Sequence, residues 1–411
     1  MREILFLSHR IPFPPDRGDK IRSHHIVKRL ARIAPVHIGT FADDELDMAE
    51  EVELATLARS YRLVRRSKPV VVAGLQALAS RQAICLPAFH DPAISAYVAE
   101  VLANHPISAI YVFSGQMGQY VPDDFAGRVV CDFVDVDSAK FAAYMAKRRG
   151  FMRWVYGREA EKLRLEEARL AGRADVSLLI SDAEAALFAS RLSPDELTRA
   201  EIRVLGNGID SALFDPVMVD AEPRLLEFAA GRLIFTGQMD YAPNVEAALR
   251  VADRILPRIR RRVPHASFHI VGRNPAAVLR ERNGIDGCHV WGRVDDIKPW
   301  LKAADLAMVP LDVARGVQNK VLEAMAMGKP VVLTSGAATG IGAVSGDQFA
   351  VADSDEALAE TAVGLLTDHR RARIKGLAAR RFVMEHASWQ AALAPLPEIV
   401  GWTGRADSHA A

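Results

Sequence analysis

Three cysteines in 411 residues leave little room for covalent or metal scaffolding. Cys85, Cys131 and Cys288 lie far apart and show no ligand spacing, so neither a disulfide framework nor a zinc site is expected, and a reducing cytoplasm fits. Charge of one sign is also missing. Lys and Arg total 52 against 51 for Asp and Glu, a net charge of +1, which excludes bulk attraction to nucleic acid. Long hydrophobic runs are absent: the stretch Pro69 to Ala79 is well short of the ~20 residues that span a bilayer. The opening MREILFLSHRIPFPP meets His and Arg too early for a signal peptide. The glycine pattern GxGxxG of dinucleotide sites is lacking too, because Gly18 stands alone in the loop IPFPPDRGDK.

What is present reads as a globular α/β chain. Half the residues are hydrophobic and a quarter are charged, and the length suggests roughly two to three domains. Glu3 to Leu7 reads as a buried strand, followed by the Pro/Gly loop, a helix with Ile21, Ile26, Val27, Leu30 and Ile33 inside, and a strand from Val36 to Phe41. That order is a βαβ unit and predicts a parallel sheet. Further strands are predicted at Ala109–Phe113, Val129–Phe133 and Val176–Ile180, with a charged helix over Ala143–Leu170 on which Glu159, Arg164 and Glu167 read as solvated. Asp132, Asp135 and Asp137 gather at a strand end, where a cation could sit, though spacing alone does not show one.

Residues 215–230, with two prolines and four acids, read as a linker. A second α/β half starts at Arg232 with strand RLIFT, the turn Gly237 and a helix for which Asn244 is a plausible N-cap. Strand Ser267–Val271 ends in Gly272-Arg273, and another ends in Gly292-Arg293. In RGVQNKVLEAMAMGKPVVL (315–333), Val321, Leu322, Met325 and Ala326 share one helical face, Gly328 stops the helix, and Val331–Leu333 is a buried strand. The helix start offers backbone N–H groups to an anion, and Glu323 offers a carboxylate to a hydroxylated ligand. A plain core helix with one solvated carboxylate is the competing reading.

In this order and spacing, GNGID (206–210), FTGQMDYAPN (235–244), HIVGRNP, VWGRVDDIKPWLKAADLAMVPL, the 315–333 stretch and HASWQAALAPL (386–396) resemble the GT-B glycosyltransferases of retaining family 4. SHRIPFPPDRGDKIRS, DFVDVDS and FTGQMDYAPN look closest to its exopolysaccharide and PEP-CTERM/exosortase-associated subgroup. The resemblance implies an α/β GT-B fold with two facing Rossmann-like domains and a cleft between them. Their bounds are 1–214 for the acceptor and 223–385 for the nucleotide-sugar donor. A helix over 386–402 would cross back to the first domain and 403–411 would form a mobile tail. It implies sugar transfer from a nucleotide-diphosphate sugar to a sugar or lipid-linked glycan acceptor, with retention, no metal and no other cofactor.

Residue by residue, the resemblance makes Glu323 the ribose ligand, and Gly316, Val317, Gln318 and Asn319 the backbone donors to the donor sugar and its phosphates. Arg293 and Val294 match the base-recognition loop, Gly237 the close approach of the diphosphate, and Gly18 the acceptor-side loop. Three departures stand out. Arg315 replaces the first glutamate of the family's pair, Gln238 and Asn244 replace its basic clamp, and no histidine lies near Ser114. Arg315 and Lys320, with Arg273 third, are therefore expected to take over the diphosphate, against the alternative that Arg315 points to solvent. Asp135 is the first domain's candidate for the acceptor, a strand-end turn residue being the alternative. A nucleotide-sugar epimerase and a catalytically silent nucleotide-sugar-binding module remain open as other functions. The enzyme is expected in the cytoplasm. Lys147-Arg148-Arg149, beside Phe151, Met152 and Trp154, offers peripheral membrane contact, with a buried Phe151–Trp154 pair slightly favoured over that.

Overall fold

The computed structural model describes residues 2–312 and 317–402, and its contacts divide the chain into two units. The first is Met1–Asn207 with Leu393–Ala411, and the second is Gly208–Ala392. Arg315, Gly316 and the tail 403–411 lie outside the described residues.

Seven strands form the sheet of the first unit: β1 (Glu3–Ser8), β2 (Val36–Ala42), β3 (Ser60–Arg65), β4 (Ile107–Phe113), β5 (Arg128–Val134), β6 (Val176–Leu179) and β7 (Ile202–Val204). Their order is β3-β2-β1-β4-β5-β6-β7, and every pairing is parallel. The second sheet holds β8 (Arg232–Thr236), β9 (Ser267–Val271), β10 (Cys288–Gly292), β11 (Leu306–Val309), β12 (Val331–Leu333) and β13 (Ala350–Val351), in the order β10-β9-β8-β11-β12-β13, again all parallel. The near-continuous apolar strands follow from this: a parallel sheet is covered on both faces, so alternation disappears. In each sheet the strand order reverses at one point, between β1 and β4 and between β8 and β11. Open α/β sheets bind ligands outside the carboxyl ends of strands at such a reversal.

The structure corrects several expectations. The charged helical region is two helices, Asp137–Ala146 and Gly150–Arg173, broken where Gly150 takes φ +60°. Glu159 and Glu167 are buried rather than solvated. Glu159 accepts the Ile84 amide at 2.8 Å, and Glu167 accepts the Ser138 amide at 2.9 Å. Each carboxylate thus ties the long helix to a neighbouring helix start. Burial raises both carboxyls, Glu167 to about 7, against the pull of those hydrogen bonds. Phe151 and Trp154 stack on each other but stay in solvent. Asn244 caps nothing, since its helix begins at Ala242 behind Tyr241. Residues 386–402 are not one helix. The chain there forms a π turn at Val383–Ala387 and two short helices, Trp389–Ala392 and Leu396–Ile399. The last of these packs within the first unit, where Arg128 Nε donates to the Ile399 carbonyl at 2.6 Å.

Candidate functional site

Beyond the carboxyl ends of β8 and β9, inside the second unit, lies an open pocket of about 730 Å³. Its lining collects Gly237, Gln238, Arg273, Arg293, Val294, Val317, Asn319, Lys320 and Glu323, together with Thr236, Val271, Gly272 and Ile297.

The floor is made by two strand-end glycines. Gly237 has φ +148°, and a Cβ there would stand 3.0 Å from Asn244 Nδ2 and 3.3 Å from Lys320 Nζ. A Cβ on Gly272 would fall 1.7 Å from the Gly237 carbonyl oxygen, so the two backbones touch only because Gly272 has no side chain. Gly272 was not among the predicted ligand residues. Its signal was nonetheless in the sequence, because FTG and IVG are the same strand-to-glycine ending in adjacent strands.

One wall is the helix Asn319–Ala326. Val321, Leu322, Met325 and Ala326 are all buried, as their spacing predicts. Gly328, at φ +67°, closes the helix in a Schellman motif, with Lys329 N–H on the Ala324 carbonyl at 3.0 Å and Gly328 N–H on that of Met325 at 2.9 Å. This anchored helix fixes Lys320 and Glu323 one turn apart toward the pocket. Lys320 Nζ donates to Asn244 Oδ1 at 2.5 Å and lies 4.8 Å over the Phe235 ring. Burial pushes its pKa down to about 8, with Glu323 pulling the other way. Burial likewise raises the Glu323 carboxyl, opposed by Lys320.

The opposite side carries Arg273, whose Nη2 donates to Gln238 Oε1 at 3.0 Å. Asn244 Nδ2 in turn donates to the Gln238 carbonyl at 2.9 Å. The two neutral residues at the clamp positions therefore each hold a cation. Among the described residues, no carboxylate lies within ion-pairing distance of Lys320, Arg273 or Arg293. Such a pocket can take a multiply charged anion at its floor and hydroxyl groups at Glu323.

The remaining predicted residues are elsewhere. Gln318 precedes the helix, and Arg315 and Gly316 lie outside the described residues. Gly18 and Asp135 belong to the first unit. Gly18 is exposed at the start of helix Gly18–Ala31. Asp135 follows Val134, a β-branched residue at φ +68°, and pairs with Lys140 at 2.8 Å. Asp137 shares that lysine at 3.1 Å, whereas Asp132 is buried against Arg22, so the three acids form no common site. Among the described residues, Glu3, His37 and His105 form the group with metal-ligand chemistry. Glu3 Oε2 already contacts both rings, at 2.6 and 3.2 Å, and Arg59 stands 3.5 Å from Oε1. That cluster reads as a neutralised carboxylate.

Comparison with known proteins agrees with this layout. Residues 230–368, which contain the whole pocket, match the family described as Glycosyl transferases group 1. The chain is 26% identical over 425 aligned residues to a GDP-mannose-dependent alpha-(1-6)-phosphatidylinositol monomannoside mannosyltransferase of Mycolicibacterium smegmatis, covering 97% of this chain and 98% of that one. Among solved structures, sucrose-phosphate synthase from Thermosynechococcus elongatus superposes with a TM-score of 0.60 at 16% identity, covering 97% of this chain and 98% of that one. Anabaena HepE in complex with UDP-glucose superposes with a TM-score of 0.57 at 16% identity, over 97% and 99% of the two chains. With two parallel α/β sheets of seven and six strands, the chain has the GT-B fold.

Proposed function

We propose that this chain is a glycosyltransferase that takes a nucleotide-diphosphate sugar into the pocket of its second unit. It passes the sugar to a glycan or lipid-linked acceptor with retention of configuration. The observation that carries the reading is the pair Lys320 and Arg273, held by the amides of Asn244 and Gln238 with no carboxylate among the described residues in ion-pairing contact. A diphosphate leaving group needs positive charge as its bond to the sugar breaks, and preorganised cations supply it at no reorganisation cost. Glu323 then receives ribose hydroxyls, and Arg293 and Val294 face the base. Arg315 joins the cations in this reading, and no metal is needed. Asp135 and the Gly18 loop serve the acceptor. The setting is exopolysaccharide or cell-surface glycan synthesis on the cytoplasmic side, with peripheral membrane contact through Lys147-Arg148-Arg149.

The test is a thermal-shift screen with GDP-mannose, UDP-glucose and ADP-glucose, followed by turnover with membrane extract as acceptor source. Ligand at ~100 times Kd raises apparent stability by about 2.7 kcal/mol. No shift with any of the three would sink the reading. A shift without acceptor-dependent release of nucleotide would leave a binding module, and interconversion of sugars without acceptor would mean an epimerase. Glu323→Gln is expected to weaken the donor by about 1.5–3 kcal/mol. Unchanged donor affinity in a folded variant would remove the ribose assignment.

A further inference from the structure

Two stretches of the first unit hold large apolar side chains in water. The helix Val70–Ser80, VVVAGLQALAS, buries Ala73 and Ala77 and leaves Val70, Val71 and Leu75 exposed by 75, 76 and 64%. At the start of helix Gly150–Arg173, Phe151 and Trp154 are exposed by 73 and 54%, with rings stacked at 5.8 Å. Arg158 joins the two stretches: its Nη2 donates to the Ala77 carbonyl at 2.7 Å and to that of Gln82 at 2.9 Å. The carboxyl end of the valine helix is thereby held against the long helix, one turn beyond Trp154.

Along both stretches of chain the charges have one sign. Between Arg66 and His90 the chain carries Lys68 and Arg81 and no acid. From Phe141 to Arg158 it carries Lys147, Arg148, Arg149, Arg153 and Arg158, again with no Asp or Glu. Lys147, Arg148, Arg149 and Arg153 are exposed. In a chain of net charge +1 this bias is local.

We infer that the valine helix and the start of the long helix form one docking face for an anionic lipid bilayer. Single exposed apolar residues need no explanation, but a linked group ringed by cations does. A second copy of the chain would set cations against cations across a symmetric contact. Nucleic acid offers the negative charge without an apolar layer to receive Val71, Leu75 and Phe151. A bilayer surface offers both, with anionic headgroups for the lysines and arginines and acyl chains for the valines and aromatic rings. The inference deepens the membrane contact of the proposed function by adding a second element to Lys147–Arg149. Its test is independent of donor chemistry.

The test is vesicle co-sedimentation, comparing pure phosphatidylcholine with vesicles containing about one-third phosphatidylglycerol. The wild-type chain is expected to bind the anionic vesicles about tenfold or more tightly than the neutral ones, since each basic residue near such a surface adds roughly fivefold. Val71→Asp with Leu75→Asp changes two exposed side chains, so it keeps the melting temperature and nucleotide binding while cutting anionic-vesicle binding about tenfold. Arg148→Glu with Arg149→Glu removes the preference for anionic lipid. Equal binding of the wild type to both vesicles, binding to neither, or wild-type binding by the Val71/Leu75 variant would each overturn the inference. So would a wild-type dimer in sedimentation velocity that the Val71/Leu75 variant splits, because the face would then be a self-association surface. Vesicle binding that survives with no nucleotide binding would sink the donor reading and leave this one standing.

Discussion

Cations near the strand ends of the two units keep different company. In the first unit, Arg10 sits between Asp19 at 2.7 Å and Asp43 at 2.6 Å, Lys20 meets Asp47 at 2.5 Å, and Arg22 meets Asp132 at 3.0 Å. In the second, Lys320 and Arg273 are held by the side-chain oxygens of Asn244 and Gln238. A carboxylate cancels the charge it binds, whereas an amide orients a cation and leaves its field intact. Buried charge is tolerated when a partner offsets desolvation. Where only an amide is supplied, the charge remains available for something that arrives later. The first arrangement stabilises the fold; the second reads as a ligand site.

Breaking the first arrangement has the largest expected effect. Asp132→Ala removes the partner of Arg22, whose side chain is 1% exposed, and the acceptor for the Tyr111 hydroxyl at 2.8 Å. An uncompensated buried guanidinium costs about 3–5 kcal/mol. Urea unfolding would measure this, and a loss under about 1 kcal/mol would show that water reaches Arg22.

Converting the second arrangement into the first is the sharper experiment. Asn244→Asp puts a carboxylate beside Lys320 Nζ. Affinity for a nucleoside diphosphate is expected to fall about tenfold or more while that for the free nucleoside barely moves, the lost charged contact being about 1.5–3 kcal/mol. Calorimetric titration with both ligands decides it. Equal losses for the two would place Lys320 away from the phosphates.

The smallest effect is the response to pH. Burial holds Lys320 at about 8, below its ordinary 10.5. A lysine lowered on folding binds fewer protons in the native than in the unfolded state between those values, so its contribution to stability rises with pH across that window. Diphosphate affinity should run the other way and fall as the ammonium deprotonates above about 8. Unfolding and titration series on the wild type and Lys320→Met would separate the two trends. Identical profiles for both proteins would remove Lys320 from either role.

Much of the architecture was legible because it is carried by local periodicity. The aliphatic strands β1, β2, β4, β8, β9 and β12, the face of helix Asn319–Ala326 and its glycine stop all follow from neighbours in sequence. The strands that escaped notice were β3, whose SYRLVR alternates charge with apolar residues, β11, indistinguishable from helix in AADLAMV, and the very short β7 and β13.

Sequence by itself determined the class of fold, the doubled α/β plan and the glycines that let backbone approach a ligand, since each depends on residue type and short-range spacing. Only the tertiary structure decided which charges are cancelled. Glu159 and Glu167 read as surface because their helix pattern is charged, yet packing placed both over amides far away in sequence. Gln238 and Asn244 read as a lost clamp because neither carries charge. In three dimensions they hold Arg273 and Lys320, residues 35 and 76 positions further along the chain. Charge compensation acts through space over a few ångströms, and residue order alone does not contain that distance.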